Sequence, residues 1–261
     1  MKILKEKMSK RPVLGMTIYS GSPAILDIIG RWGLDFAFID AEHTSMDIDN
    51  DMEKLVMACK LSGVSPLVRV TRVDDIEIRK ALEMGADGII IPHVKTKAEA
   101  EGCVRAAKFP PKGRRGIDAT VRAAQFGAKG FNYDDYLADA DDCLVIPMAE
   151  DFEFMDNIDA ILDVPGLDVI NFGPADYALS KCMTTFYNLA EPEIQKALKE
   201  IVEKSHKRGI KVMAPVIPPT ADSLKAALDA GVDMLIMGSD MLNLNRACAA
   251  IMDAAKEAKV I

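Results

Sequence analysis

The chain is predicted to be an α/β protein, a closed (β/α)8 TIM barrel with parallel strands, and three observations lead there. Short apolar runs alternate with amphipathic segments along its length. Glycine turns with an acidic follow-on recur where helices hand over to strands, as in Gly33-Leu34-Asp35, Gly85-Ala86-Asp87 and Gly231-Val232-Asp233. Three of the apolar runs end in acids or a histidine, as expected of a site at one rim of a parallel barrel.

The apolar runs lie near residues 13–19, 34–40, 66–70, 88–92, 144–148, 167–172, 211–215 and 234–238. Each is short and apolar, which fits strands. Helical periodicity falls between them, for example at 51–61, 76–84, 98–108, 152–162, 193–208 and 221–230. Glycine at the joints fits helix C-caps in the left-handed region. Eight strand signals favour a barrel over a doubly wound open sheet, the alternative left by the strand count alone. Residues 1–261 read as one barrel domain. The connection from 110 to 142 is longer than usual and carries short helical patterns at 118–125 and 132–138. Such length is usually functional or engaged with a partner chain. The last helix, 240–259, is rich in Ala and Met and apolar over much of its surface. It reads equally as wall packing and as a subunit interface.

Composition narrows the partners. At 261 residues and 49% hydrophobic content, the chain can bury a full core. A net charge of −8 argues against nucleic acid or an anionic membrane as partner. No stretch is apolar enough to span a bilayer, and the charged N-terminus lacks a signal-peptide core. The five cysteines are scattered without a CxxC pair, which fits reduced thiols in a cytoplasmic protein.

Glu150 follows strand five and Asp176 follows strand six, so the two are neighbours around the rim. Either acid alone reads as well as a helix N-cap. The pair, with Arg69 and His43 on the same rim, points to a site. Two carboxylates plus water suit a hard divalent metal ion, Mg2+, Mn2+ or Co2+, and lack the nitrogen or sulfur that structural zinc prefers. His43, next to Glu42, is the best general acid/base, because imidazole titrates near neutral pH. His93 faces the same rim and either meets substrate or closes a loop. Arg69 ends strand three between apolar neighbours, where a fixed guanidinium can stabilise an enolate or carboxylate oxygen. Lys95 is the only lysine placed to act as a Schiff-base nucleophile, the rival chemistry.

In this order and spacing, several segments resemble the HpcH/HpaI aldolase family over nearly the whole chain. They are Asp40-Ala41-Glu42-His43, Val68-Arg69-Val70, Phe109-Pro110-Pro111-Lys112-Gly113-Arg114-Arg115-Gly116, Ala149-Glu150, Gly173-Pro174-Ala175-Asp176 and Gly238-Ser239-Asp240. The resemblance implies a metal-dependent class II pyruvate aldolase. Such an enzyme cleaves a 4-hydroxy-2-keto acid to pyruvate and an aldehyde through a metal-stabilised pyruvate enolate. It further implies that Glu150 and Asp176 ligate the metal, His43 is the acid/base and Arg69 holds the keto or enolate oxygen. Gly173, Ala175 and Asp176 would lie against the substrate, with backbone amides receiving its carboxylate. Glu83 would polarise His43 from a neighbouring position or subunit. A trimer-based homo-oligomer, a trimer or hexamer with an exchanged C-terminal helix, is also implied. Met148 stands where the family commonly has a substrate-contacting glutamine. A thioether donates nothing, so substrate choice stays open. A CoA-ester lyase of the malyl- or citramalyl-CoA type and a non-catalytic metal-binding barrel are the alternatives.

Overall fold

Eight strands pair in chain order, all parallel, and the eighth returns to the first. They are β1 (Val13–Ile18), β2 (Phe36–Asp40), β3 (Ser65–Arg69), β4 (Gly88–Ile91), β5 (Leu144–Ala149), β6 (Val169–Phe172), β7 (Lys211–Pro215) and β8 (Met234–Ser239). The structure, a computed structural model, describes residues 2–184 and 188–260. Closure sets aside the open doubly wound sheet and confirms the (β/α)8 barrel. It also leaves no free strand edge.

Side chains alternate across each strand, which splits the apolar residues into two cores. Phe38, Leu67, Ile90, Ile146, Met213 and Met234 fill the barrel interior. Ile39, Val68, Ile89, Val145, Ile170 and Val212 face outward and form the layer under the helices. Those helices include α2 (Pro23–Arg31), α3 (Met52–Leu61), α4 (Asp75–Glu83), α5 (Lys97–Ala107), α10 (Pro192–His206) and α11 (Ala221–Asp229). Their starts carry sequence-encoded caps. Asp74 accepts from the amides of Ile76 and Glu77 at α4, and Thr96 with Glu99 forms a capping box at α5.

Three local features differ from the sequence expectation. The charged N-terminus forms a helix, α1 (Lys2–Met8), whose buried Leu4 and Met8 join the interior core. Burying two such side chains contributes about 1.5–3 kcal/mol each. The pattern at 118–125 is realised as a 3-10 turn at Arg122–Gly127, because Gln125 and Phe126 take left-handed φ of 53° and 58°. It is followed by α6 (Tyr133–Asp141). The segment 152–162 breaks at Asn157 into α7 (Phe152–Asp156) and α8 (Ile158–Leu162).

Among the described residues, the last helix, α12 (Asp240–Glu257), is hydrogen-bonded to the barrel through its first turn. Ser239 caps the amide of Leu242, and the Asp240 carboxylate accepts from the amides of Tyr19 and Ser20 at 2.9 and 3.0 Å. Beyond that turn α12 has no buried residue, and Leu244 and Ile251 are 62% and 66% exposed.

Candidate active site

The C-terminal ends of the strands gather the predicted residues other than Glu83 on one rim. Along β2, Phe36, Phe38 and Asp40 share the inward face, and Asp40 lies in register with Arg69 on β3. Their side chains form a two-bond fork inside the barrel mouth. Arg69 Nε donates to Asp40 Oδ1 at 2.7 Å, and Nη2 donates to Oδ2 at 2.6 Å. The third nitrogen, Nη1, stands 2.8 Å from Glu42 Oε2 and 3.9 Å from Met148 Sδ. The Phe38 ring lies beneath, 5.3 Å from the guanidinium carbon. Burial alone would lower the Arg69 pKa, but the Asp40 bonds and the charges of Asp40 and Glu42 raise it above its ordinary value. Arg69 is thus a fixed, permanently charged donor.

Glu150 follows β5 and is 1% exposed. Its Oε1 accepts the backbone amide of His93 at 2.7 Å. That bond requires the loop after β4 to turn sharply, and His93 takes a left-handed φ of 52° to do so. The His93 ring bonds Asp151 Oδ2 through Nδ1 at 2.9 Å and approaches Glu42 Oε1 to 3.5 Å through Nε2. Burial would lower the His93 pKa; Asp151, Glu150 and Glu42 outweigh it and raise the value. Around Glu150 the balance is reversed. Burial pushes its pKa up to about 7; the His93 amide and ring oppose this, while the charges of Glu42 and Asp176 add to it. Burial likewise raises Glu42, against the pull of Arg69 and both rim histidines. Glu42 Oε2 is buried without a well-aligned hydrogen bond.

Asp176 lies in the first turn of α9 (Pro174–Ser180), just past β6. The intervening Gly173 is needed for space. A Cβ there would stand 2.7 Å from Glu150 Cβ and 2.9 Å from its Oε2. Ala175 sits between Pro174 and Asp176 in that first turn. His43 reaches the rim with its ring largely in solvent, and its nearest acid is Glu42 Oε2 at 3.8 Å. Among the described residues, no three His, Cys, Asp or Glu side chains group as a metal site.

Two expectations fare differently. Glu83 is not brought to the rim. It ends α4, which runs back down the barrel to the start of β4, and there it faces Arg79. Within one subunit it therefore cannot polarise His43. Lys95 stands 3.3 Å from Asp151 and 3.6 Å from Glu153. Burial is outweighed by these acids, so its pKa is raised, whereas a Schiff-base lysine needs the opposite shift. Sequence reasoning missed the Asp40 lock on Arg69 and the Asp151 contact to His93. The inward parity of Asp40 and Arg69 on adjacent strands was the available signal for the first. Nothing local announced the second.

Comparison with known proteins agrees with this fold. The profile of the HpcH/HpaI aldolase/citrate lyase family matches residues 14–247. A 5-keto-4-deoxy-D-glucarate aldolase of Shigella boydii serotype 18 is 31% identical over 234 residues, covering 89% of this chain and 88% of that protein. The same enzyme of Escherichia coli O139:H28 matches to the same extent, 31% over 234 residues. Among solved structures, an HpcH/HpaI aldolase from Desulfitobacterium hafniense DCB-2 superposes with a TM-score of 0.88 at 27% identity, covering 97% of this chain and 96% of that one. Citrate synthase SbnG gives a TM-score of 0.86 at 27% identity, covering 99% of both chains. The chain belongs to the HpcH/HpaI aldolase/citrate lyase family, and it is an enzyme, a lyase of that class.

Proposed function

We propose that the enzyme cleaves a 4-hydroxy-2-keto acid by retro-aldol reaction to pyruvate and an aldehyde, with Glu150 and Asp176 holding a divalent cation. The observation that carries the reading is the Arg69 guanidinium, locked by Asp40 and Glu42 at the mouth where an enolate oxygen would form. The donor set fits a hard cation. It is all oxygen, and it leaves a buried carboxylate, Glu150, under the repulsion of Glu42 and Asp176. With two protein carboxylates, the remaining positions would go to water and substrate. When bound, Mg2+, Mn2+ or Co2+ would supply Lewis-acid polarisation of the 2-keto group.

The chain's own residues would do the rest. His43, open to solvent at the rim, takes the 4-hydroxyl proton directly or through water. The electron pair of the breaking C3–C4 bond moves into the enolate of pyruvate, and the aldehyde leaves. Arg69 donates to the enolate oxygen, a preorganised contact from a buried guanidinium. The proton held by His43 then returns to C3, completing pyruvate. His93 keeps Glu150 in place through its amide and is itself oriented by Asp151. Backbone amides at Ala175 and Asp176, at the start of α9, would receive the substrate carboxylate. The relatives named above make 5-keto-4-deoxy-D-glucarate the first substrate to assay.

The test is pyruvate release from a panel of 4-hydroxy-2-keto acids with Mn2+ or Mg2+. Release that EDTA abolishes and that borohydride with pyruvate leaves untouched supports the reading. No release from any member overturns it. Malyl-CoA and citramalyl-CoA belong in the same panel, since their cleavage would move the substrate class to CoA esters.

The exposed apolar face of α12 supports a homo-oligomer in which this helix covers a neighbouring subunit. Leu244→Glu with Ile251→Glu should lower the mass seen by light scattering. An unchanged mass would remove α12 from the interface.

A further inference from the structure

Asn171 follows Val169 of the interior core by two positions on β6 and therefore shares its inward face. It is 2% exposed and lies in register with Met148 on β5 and Met213 on β7. Val169, the next inward residue below it, belongs to the apolar interior with Ile146 and Met213. Asn171 is thus an amide at the boundary between that filling and the rim. Its Oδ1 is buried with no hydrogen-bond partner among the described residues. Buried polar groups are nearly always paired, so an orphan in a barrel mouth calls for a partner that arrives from outside. Met148 cannot serve, since its thioether has no hydrogen to donate.

The orphan is connected to the reacting region. Arg69 Nη1 reaches within 3.9 Å of Met148 Sδ, and Met148 lies beside Asn171 in the sheet. Above them Gly173 lets the backbone lie close against Glu150 and Met148, where a Cβ would stand 2.9 Å from Glu150 Oε2 and 3.4 Å from Met148 Cε. Arg69, Met148 and Asn171 form a continuous floor beneath the rim acids. We propose that Asn171 is a specificity-determining residue whose carboxamide hydrogen-bonds an oxygen of the 2-keto acid seated on this floor. A carboxamide carries donors and an acceptor, and half a turn of its terminal bond presents the NH2 to a keto or carboxylate oxygen. The polar contact that Met148 does not make is supplied from the neighbouring strand.

This inference rests on the aldolase reading, and one experiment separates the two. Pyruvate binding to Mn2+-loaded protein is measured by calorimetry for wild type, Asn171→Leu and Asn171→Ala, together with kcat/KM and thermal melting. Leucine keeps the volume and removes the polar group. Both variants should bind pyruvate about 10- to 100-fold more weakly, with kcat/KM falling through KM. Asn171→Leu should melt no lower than wild type, because it removes an unpaired buried group. Affinity and kcat/KM within twofold of wild type in both variants would overturn the inference while the aldolase reading stands. A lowered melting temperature with unchanged affinity would also overturn it, making Asn171 a structural residue. Wild-type protein that neither binds pyruvate nor releases it from any substrate would remove the aldolase reading, and this inference with it.

Discussion

The two ends of the barrel treat acidic residues in opposite ways. At the lower end, Asp35, Asp87, Asp168 and Asp233 each precede an even-numbered strand and follow a glycine turn. Each donates its amide to a carbonyl of the previous strand, on Leu14, Pro66, Val145 and Val212 respectively. Three of the four carboxylates accept the amide of that same residue in return, on Leu14, Val145 and Val212, at 2.9–3.1 Å. The exception has a chemical reason: Pro66 has no N–H, and Asp87 takes the Lys60 ammonium. Basic groups complete the others, Arg11 and Lys7 on Asp35, Lys5 on Asp168, and Lys211 with His206 on Asp233. Burial would raise the Asp35 pKa, yet these partners lower it to about 2. At the upper end, Glu150 is buried and Glu42 half-buried with too little positive charge, and both are raised. Saturated acids hold strands together; under-compensated acids are left to be balanced by a bound cation. The barrel thus separates stability from chemistry by which end of a strand an acid occupies.

The sharpest way to break this comparison is at Arg69, an upper-end cation whose guanidinium nitrogens face Asp40 and Glu42. Arg69→Ala should lower turnover by roughly two to three powers of ten, on the scale of a lost oxyanion contact. It should also destabilise the fold by about 3–5 kcal/mol, because Asp40 is left buried without its partner. Steady-state kinetics beside a urea melt checks both, and near-full activity would remove Arg69 from the enolate contact. At the lower end the two effects should come apart. Asp35→Asn should cost about 1–3 kcal/mol of stability and leave the activity of the folded enzyme unchanged.

The response to pH should also differ in sign between the ends. Asp35 has a folded pKa of about 2 against an ordinary 3.8. Its stabilisation is therefore present above 3.8 and lost as the pH falls toward 2. Glu150 has a folded pKa of about 7 against an ordinary 4.5. Its contribution is full below 4.5 and is lost as the pH rises through 7. Metal-free protein should accordingly melt lower at pH 8 than at pH 5.5, with the difference reduced in Glu150→Gln. An equal slope in the variant would place its origin elsewhere.

Much of this was legible in the residues. The strand runs, the glycine joints and the position of Glu150, Asp176, Arg69 and His43 on one rim all follow from local pattern and chain order. What escaped depends on contacts between distant segments. The helix α1 escaped because its two buried residues, Leu4 and Met8, sit among lysines and find their apolar partners only inside the closed barrel. His93 ranked below His43, yet the structure ties it to Glu150 and Asp151 through a left-handed turn that no local pattern announces. Gly166-Leu167-Asp168 repeats the lower-end turn as a fourth copy, and only the shared hydrogen-bond bracket shows what the repetition is for.

Glu150→Gln, assayed for pyruvate release with Mn2+ and for thermal melting at pH 8 in metal-free protein, tests the division most directly. Glutamine keeps the acceptor for the His93 amide and removes the buried charge. The expected result is a loss of turnover of roughly two to three powers of ten together with a higher melting temperature. A variant that melts lower than wild type yet still releases pyruvate at the wild-type rate would show that Glu150 serves the fold and not the reaction.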